Sequence, residues 1–197
     1  MKKRTTTGLM AVFAGVLLAT VTSVSANHTA TGKGTYAVAP QVLAEFHLVV
    51  AKPGPNPDLK PGLNFVQSEM ARIHRSMPFQ TIMISTAIDD AFTISSEPAG
   101  RTVAISGEMV STTFLGVGEE RQAFAELVPF IAIGVDKRTR EAGADLFSLE
   151  VKYRADRTQG PLFASLGFGD CDAETCTMTF AGPVKRGDIF VHTAGDE

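Results

Sequence analysis

The chain has 197 residues, 44% of them hydrophobic and 20% charged, with a formal net charge of −3. An acidic balance disfavours nucleic acid and anionic membrane surfaces as partners, since both repel a chain with more carboxylates than cations. Thirteen Phe, two Tyr and no Trp also leave it short of the amphipathic aromatic platforms on which carbohydrate-binding β-domains stack sugars.

At the N-terminus Lys2, Lys3 and Arg4 precede an uncharged apolar stretch from Gly8 to Val21. Val24-Ser25-Ala26 then supplies the side-chain sizes that signal peptidase accepts. Residues 1–26 therefore read as a secretory signal peptide cleaved between Ala26 and Asn27, and 27–197 as a single domain that is secreted or periplasmic. The apolar run is shorter than the roughly 20 residues a spanning helix needs, and no comparable run follows, so no membrane span is expected in the mature chain. Removing the leader takes three of the 18 cations and none of the 21 acids, leaving 15 against 21 and a net charge of −6.

From Gly34 onward the dominant hydrophobic period is two, the mark of half-buried strands. Tyr36 and Val38 begin it, and Phe46, Leu48 and Val50 alternate with Glu45 and His47. Over residues 64–76 two readings compete. Val66, Met70, Ile73 and Met77 have helical spacing and Asn64 with Gln67 suits a capping box, while the same residues also fit a long bent strand. Ile82 with Ile84, Val103 with Ile105, Phe147-Leu149-Val151-Tyr153, and finally Ile189 and Val191 opposing Phe190 continue the period of two. Gly and Pro punctuate the intervals, as at Pro53–Pro57, Gly160-Pro161 and Gly182-Pro183. Strands so closely spaced make antiparallel hairpins, so the expected fold is all-β, an antiparallel barrel or strongly curled sheet of roughly nine to eleven strands. Asp89-Asp90 is expected at a turn, and Asp136 and Asp145 bracket what reads as a solvated hairpin loop.

The chemistry-bearing residues are few. Cys171 and Cys176 flank a short polar segment, and in an oxidising compartment they are expected to form a disulfide across a hairpin. Asp170, Asp172 and Glu174, at alternate positions of the loop from Gly169 to Thr177, are hard oxygen ligands that suit calcium, the only cofactor the residues suggest, although the EF-hand pattern is not met. His47 and His192, with Glu45, would line a polar lumen if their strand faces turned inward, and there they could serve as acid, base or ligand.

Val128-Pro129-Phe130, Gly134-Val135-Asp136, the Ala144-Asp145-Leu146-Phe147-Ser148 strand and the closing Gly187-Asp188-Ile189-Phe190-Val191-His192 strand resemble uncharacterised secreted bacterial all-β domains. The resemblance extends over about half the mature chain and implies architecture and export, without an activity. Taken together, the sequence favours a non-enzymatic binding or interaction module for an apolar small ligand or a protein partner. An enzyme with a polar barrel-lumen site and a structural cell-surface component are the alternatives.

Overall fold

The computed structural model describes residues 28–39, 42–51, 64–72, 78–97, 100–116, 120–137 and 143–192. The cleavage point between Ala26 and Asn27 and the Pro53–Pro61 segment lie outside the described residues. Nine strands and one helix follow in chain order: β1 (His28–Ala39), β2 (Val42–Ala51), β3 (Phe65–Arg72), β4 (Phe79–Glu97), β5 (Gly100–Leu115), β6 (Gln122–Asp136), β7 (Leu146–Arg154), α1 (Gln159–Ser165), β8 (Gly169–Cys171) and β9 (Thr175–Val191). Each strand from β1 to β7 pairs antiparallel with the next. β7 pairs with β9, and β9 returns to β1, so the sheet closes into an eight-stranded antiparallel barrel. β8 adds three residues along β9, opposite Cys176–Met178.

Alternation sends one face of each strand into the barrel. Val103, Ile105 and Met109 of β5 and Phe147, Leu149, Val151 and Tyr153 of β7 are all buried, as the period of two predicts. Of the two readings of residues 64–76, Phe65–Arg72 is strand. Val66 and Met70 are four apart, and an even spacing puts them on one face of a strand as readily as on one face of a helix. Both are buried, with Ser68 between them pointing the same way. Asp89 lies inside β4, where the ladder to β5 shifts register between Ile88 and Phe92, and it accepts a hydrogen bond from Ser106 Oγ at 2.5 Å. The expected turn at Asp89-Asp90 is thus an irregularity within one long strand.

The helix occurs where the sequence suggested a Gly160-Pro161 turn. Proline is tolerated there because the first helical turn has no intrahelical use for its N–H groups. The other end is terminated by Gly167 at φ +81. Gly167 N–H donates to the Ala164 carbonyl at 2.9 Å and Phe168 N–H to the Phe163 carbonyl at 3.1 Å, a Schellman arrangement. Its apolar contact is the Phe163–Phe168 ring pair, with centroids 6.1 Å apart.

The lumen is filled with rings and aliphatic side chains. Phe46 stacks on Phe147 at 4.4 Å, and Tyr36 meets both edge-on. At the α1 end, Phe163 sits among Phe79, Tyr153, Phe168 and Phe180 with centroids 5.5–6.1 Å away. The outer faces carry Lys33, Glu45, Lys152, Lys185 and Arg186, all exposed. The apolar lumen differs from that of a lipid-spanning barrel, which is polar. Among the described residues no helix is long and apolar enough to cross a membrane.

Closure occurs at the β1–β9 seam, where Gly34 faces Gly187. A Cβ on Gly34 would stand 2.2 Å from the Arg186 carbonyl oxygen, and one on Gly187, whose φ is +94, would stand 2.0 Å from the Lys33 carbonyl oxygen. Both obstacles are backbone and cannot rotate away. Gly34→Ala should therefore cost about 2 kcal/mol or more of stability, read as a clear fall in the midpoint of thermal unfolding; an unchanged midpoint would show that the seam can widen.

Candidate functional site

Several buried polar groups run through the α1 end of the barrel. Thr81 and Thr113 hydroxyls pair at 3.0 Å, and Ser111 Oγ pairs with the Tyr153 hydroxyl at 2.9 Å. Tyr153 also donates to Met83 Sδ at 3.8 Å. Gln159, the first residue of α1, joins this set: its Nε2 donates to Thr113 Oγ1 at 2.8 Å and to the carbonyl oxygens of Ser111 and Phe124, each at 3.1 Å. A separate pair, Tyr36 and Ser68, meets at 3.1 Å. Burial pushes both phenols far above the ordinary tyrosine range, more than their serine partners pull them down. They stay neutral, as a satisfied interior requires.

At the same end the β6–β7 ladder stops at Phe130–Val151, next to Pro129, a residue with no N–H to donate. The first half of β6 continues along β5 alone, and the end of β7 parts from it. The Arg154 N–H donates instead to Glu126 Oε1 at 3.0 Å. Between the separated strands lies a cleft of ≈370 Å³ lined by Ala123, Phe124, Ala125, Glu126, Asp156, Arg157, Thr158 and Gln159. On its rim the Arg154 guanidinium grips Asp156 through Nε at 2.9 Å and Nη2 at 2.6 Å, which holds the Asp156 carboxyl below its usual range. Nothing in the sequence marked Gln159 or Glu126. Gln159 looked like part of a turn, and Glu126 is one acid in an apolar run.

The residues that the sequence did mark are placed elsewhere. Glu45 and His47 are exposed on the outer face of β2, and His192 is exposed just beyond β9. His47 packs edge-on against Phe65 at 5.5 Å; partial burial first and Lys33 second hold its pKa below the ordinary imidazole value. His47 faces Lys33 across β1–β2, and Lys33 faces Asp188 across β1–β9. His192 lies past the last pair of that second ladder, Ala30–Val191, so it does not join the Glu45–His47 pair.

Cys171 and Cys176 face each other across the β8–β9 hairpin and form a disulfide, with Cα atoms 3.9 Å apart. Cys176 is buried beneath α1, where a Cβ on Gly160 would lie 2.8 Å from Cys176 Cβ. The bridge therefore supports the helix as well as closing the hairpin. Asp170, Asp172 and Glu174 are exposed and do not gather into a ligand set. Asp172 Oδ1 accepts from Glu174 N–H at 2.8 Å and Thr175 N–H at 2.7 Å, and Oδ2 from Thr175 Oγ1 at 3.1 Å. Those bonds lower its pKa and engage both oxygens in the turn itself. Among the described residues no group of three or more His, Cys, Asp or Glu side chains could hold a metal ion.

Asp136 and Asp145 bracket the connection between β6 and β7, as expected, and they also complete the sheet. The β7–β9 ladder ends at Leu146–Pro183. Beyond it, Ile189 N–H donates to Asp145 Oδ2 at 2.8 Å, Val191 N–H to Asp136 Oδ2 at 3.2 Å, and Arg101 Nη1 to the Val191 carbonyl at 2.9 Å. Side chains thus substitute for a missing strand. Asp188, beside them, has a raised pKa. Its hydrogen bond with Asp145 comes first, then burial and the charges of Asp145 and Asp136.

A carboxyl whose pKa rises on folding holds its proton more tightly in the folded state. The stability it lends is present below the ordinary carboxylate pKa and is lost as pH rises through the shifted value. Asp188→Asn should therefore unfold at a higher temperature than the parent at pH 7 and at the same temperature at pH 3. The gain should stay below about 1 kcal/mol, because the group is largely exposed and screened. A gain equally large at pH 3 would assign it to something other than charge. Searches with the whole chain found no matching family model, no similar curated protein and no similar solved structure.

Proposed function

We propose that this protein is a non-enzymatic interaction module, exported after cleavage at Ala26, that docks a second copy of itself through the outer face of β6. The observation carrying this reading is the composition of that face. Successive outward positions from Ala123 to Val135 are all apolar: Ala, Ala, Leu, Pro, Ile, Ile, Val. A run of apolar side chains along one strand face is ordinarily covered. Here the inner face packs into the lumen, while Leu127 and Ile131 are 56% and 42% exposed. Neighbouring strands widen the patch, since Ile84 faces Val110 and Val110 faces Leu127 in one row across β4, β5 and β6. The packing of Phe46, Phe147 and Phe163 within the lumen favours an external surface over a luminal pocket for an apolar ligand.

Charge placement favours a second copy as the occupant. Glu108 on β5 faces Pro129 at the centre of the patch, and Lys152 lies on the opposite flank, on β7, one residue past the Phe130–Val151 pair. Both are exposed. A two-fold axis parallel to β6 would lay the two strands face to face and bring Glu108 of each copy over Lys152 of the other, an isologous contact with opposite charges at both edges.

Sedimentation velocity over a concentration series tests this. The parent chain should show reversible dimerisation. Leu127→Lys or Ile131→Lys should weaken it at least tenfold, about 1.4 kcal/mol. Glu108→Lys should weaken it too, and the double variant Glu108→Lys with Lys152→Glu should restore it. A monomer at every concentration, or a double variant no better than the single, would sink the reading.

A further inference from the structure

We infer that the cleft between the start of β6 and the β7–α1 turn is a binding site for a small ligand bearing a primary ammonium group, held by Glu126 and Gln159. Gln159 is 1% exposed, and its amide cannot be turned over. Nε2 points at the carbonyl oxygens of Ser111 and Phe124, which only accept hydrogen bonds. That orientation leaves Gln159 Oε1 a buried acceptor to which no group of the protein donates. Glu126 repeats the pattern: Oε1 accepts from Arg154 N–H, while Oε2 is buried with no donor. A buried acceptor left without a donor costs about 1–3 kcal/mol, more when it is charged. Both residues wall the same ≈370 Å³ cleft.

Two acceptors, one of them a carboxylate, call for a ligand group made only of donors. The Arg154 guanidinium does not supply it, because it is engaged by both oxygens of Asp156, and Arg157, which also lines the cleft, donates to neither oxygen. A hydroxyl brings one donor together with two oxygen lone pairs. An ammonium brings three donors and no acceptor, and its charge strengthens the bond to Glu126. Ala123, Phe124 and Ala125 provide apolar wall for a short alkyl stem. At ≈30 Å³ per water-sized volume the cleft holds about a dozen such volumes, so an amine of a few carbons fits.

Amide NMR of the full chain, titrated separately with butylammonium chloride, potassium chloride and n-butanol, decides the matter. Butylammonium alone should produce saturable shifts at Ala123–Glu126 and at the Gln159 side-chain amide. Glu126→Gln, nearly isosteric, should weaken binding at least tenfold. Should that variant fail to fold, the parent itself serves, because tetramethylammonium chloride, a cation with no N–H to donate, should produce no saturable shift. No saturable shift, an equal response to butanol, potassium or tetramethylammonium, or affinity indifferent to Glu126→Gln would overturn the assignment.

Discussion

The β1–β9 seam is the constraint on which the barrel depends. An open sheet of eight long strands would expose two rows of unpaired backbone groups, and closure removes both. The seam closes because Gly34 and Gly187 let two backbones approach where any side chain would strike a carbonyl. It does not run the full length of β9, which has 17 residues. β1 covers Val184–Val191 along one edge, and β8 covers Cys176–Met178 along that same edge. On the other edge β7 covers Thr175–Pro183, and the side chains of Asp145, Asp136 and Arg101 take over where it ends. The stagger between the two sides of β9 tilts the strands, and tilt is what a closed barrel of this size demands.

Closure at eight strands also decides what the interior can be. The lumen of such a barrel is just wide enough to be filled by its own side chains, and here the aromatic residues fill it. The buried hydroxyls pair with one another: Tyr36 with Ser68, Thr81 with Thr113, Ser111 with Tyr153. These pairs link strands far apart in sequence, and a shift of register in any one of them would strand two buried hydroxyls. With the centre occupied, surfaces available for recognition lie outside the barrel or at its ends.

Alternation was readable in the sequence because apolar and polar residues differ strongly at successive positions, as in Phe147-Ser148-Leu149-Glu150-Val151. The pairing of Cys171 with Cys176 was readable for a similar reason, since both the spacing and the chemistry point one way. Residues 64–76 were ambiguous because Val66 and Met70, four apart, satisfy both periods, and only the ladders to β2 and β4 decide between them. Asp136 and Asp145 were illegible. Their roles depend on the backbone of Ile189 and Val191, more than 40 positions away in the chain, and a carboxylate that caps a distant strand has no local signature. The same holds for Gln159, whose three acceptor partners sit on β5 and β6.

β6 brings these threads together, and Pro129 is its pivot. From Leu127 to Val135 β6 is apolar at every position, so no period of two fixes its register there. What fixes it is specific: a Cβ on Gly134 would meet the side chains of Leu48, Val103 and Ile189 at 3.0–3.4 Å, so that point of the lumen is crowded and any larger residue would push those neighbours aside. Counting back from Gly134 by twos places Glu126 inward and Leu127 outward. Pro129 then ends hydrogen bonding to β7 midway along the strand without disturbing the ladder to β5, which runs unbroken from Arg101–Asp136 to Leu115–Gln122. Because the end of β7 is released there, Arg154 turns its N–H to Glu126, Gln159 enters from α1, and the cleft opens between them. An ordinary residue at position 129 could extend the ladder toward Lys152 and draw the cleft shut. The proline thus stands where the ladder gives way to an opening whose walls carry unanswered acceptors, the kind of local cost a fold retains where binding occurs.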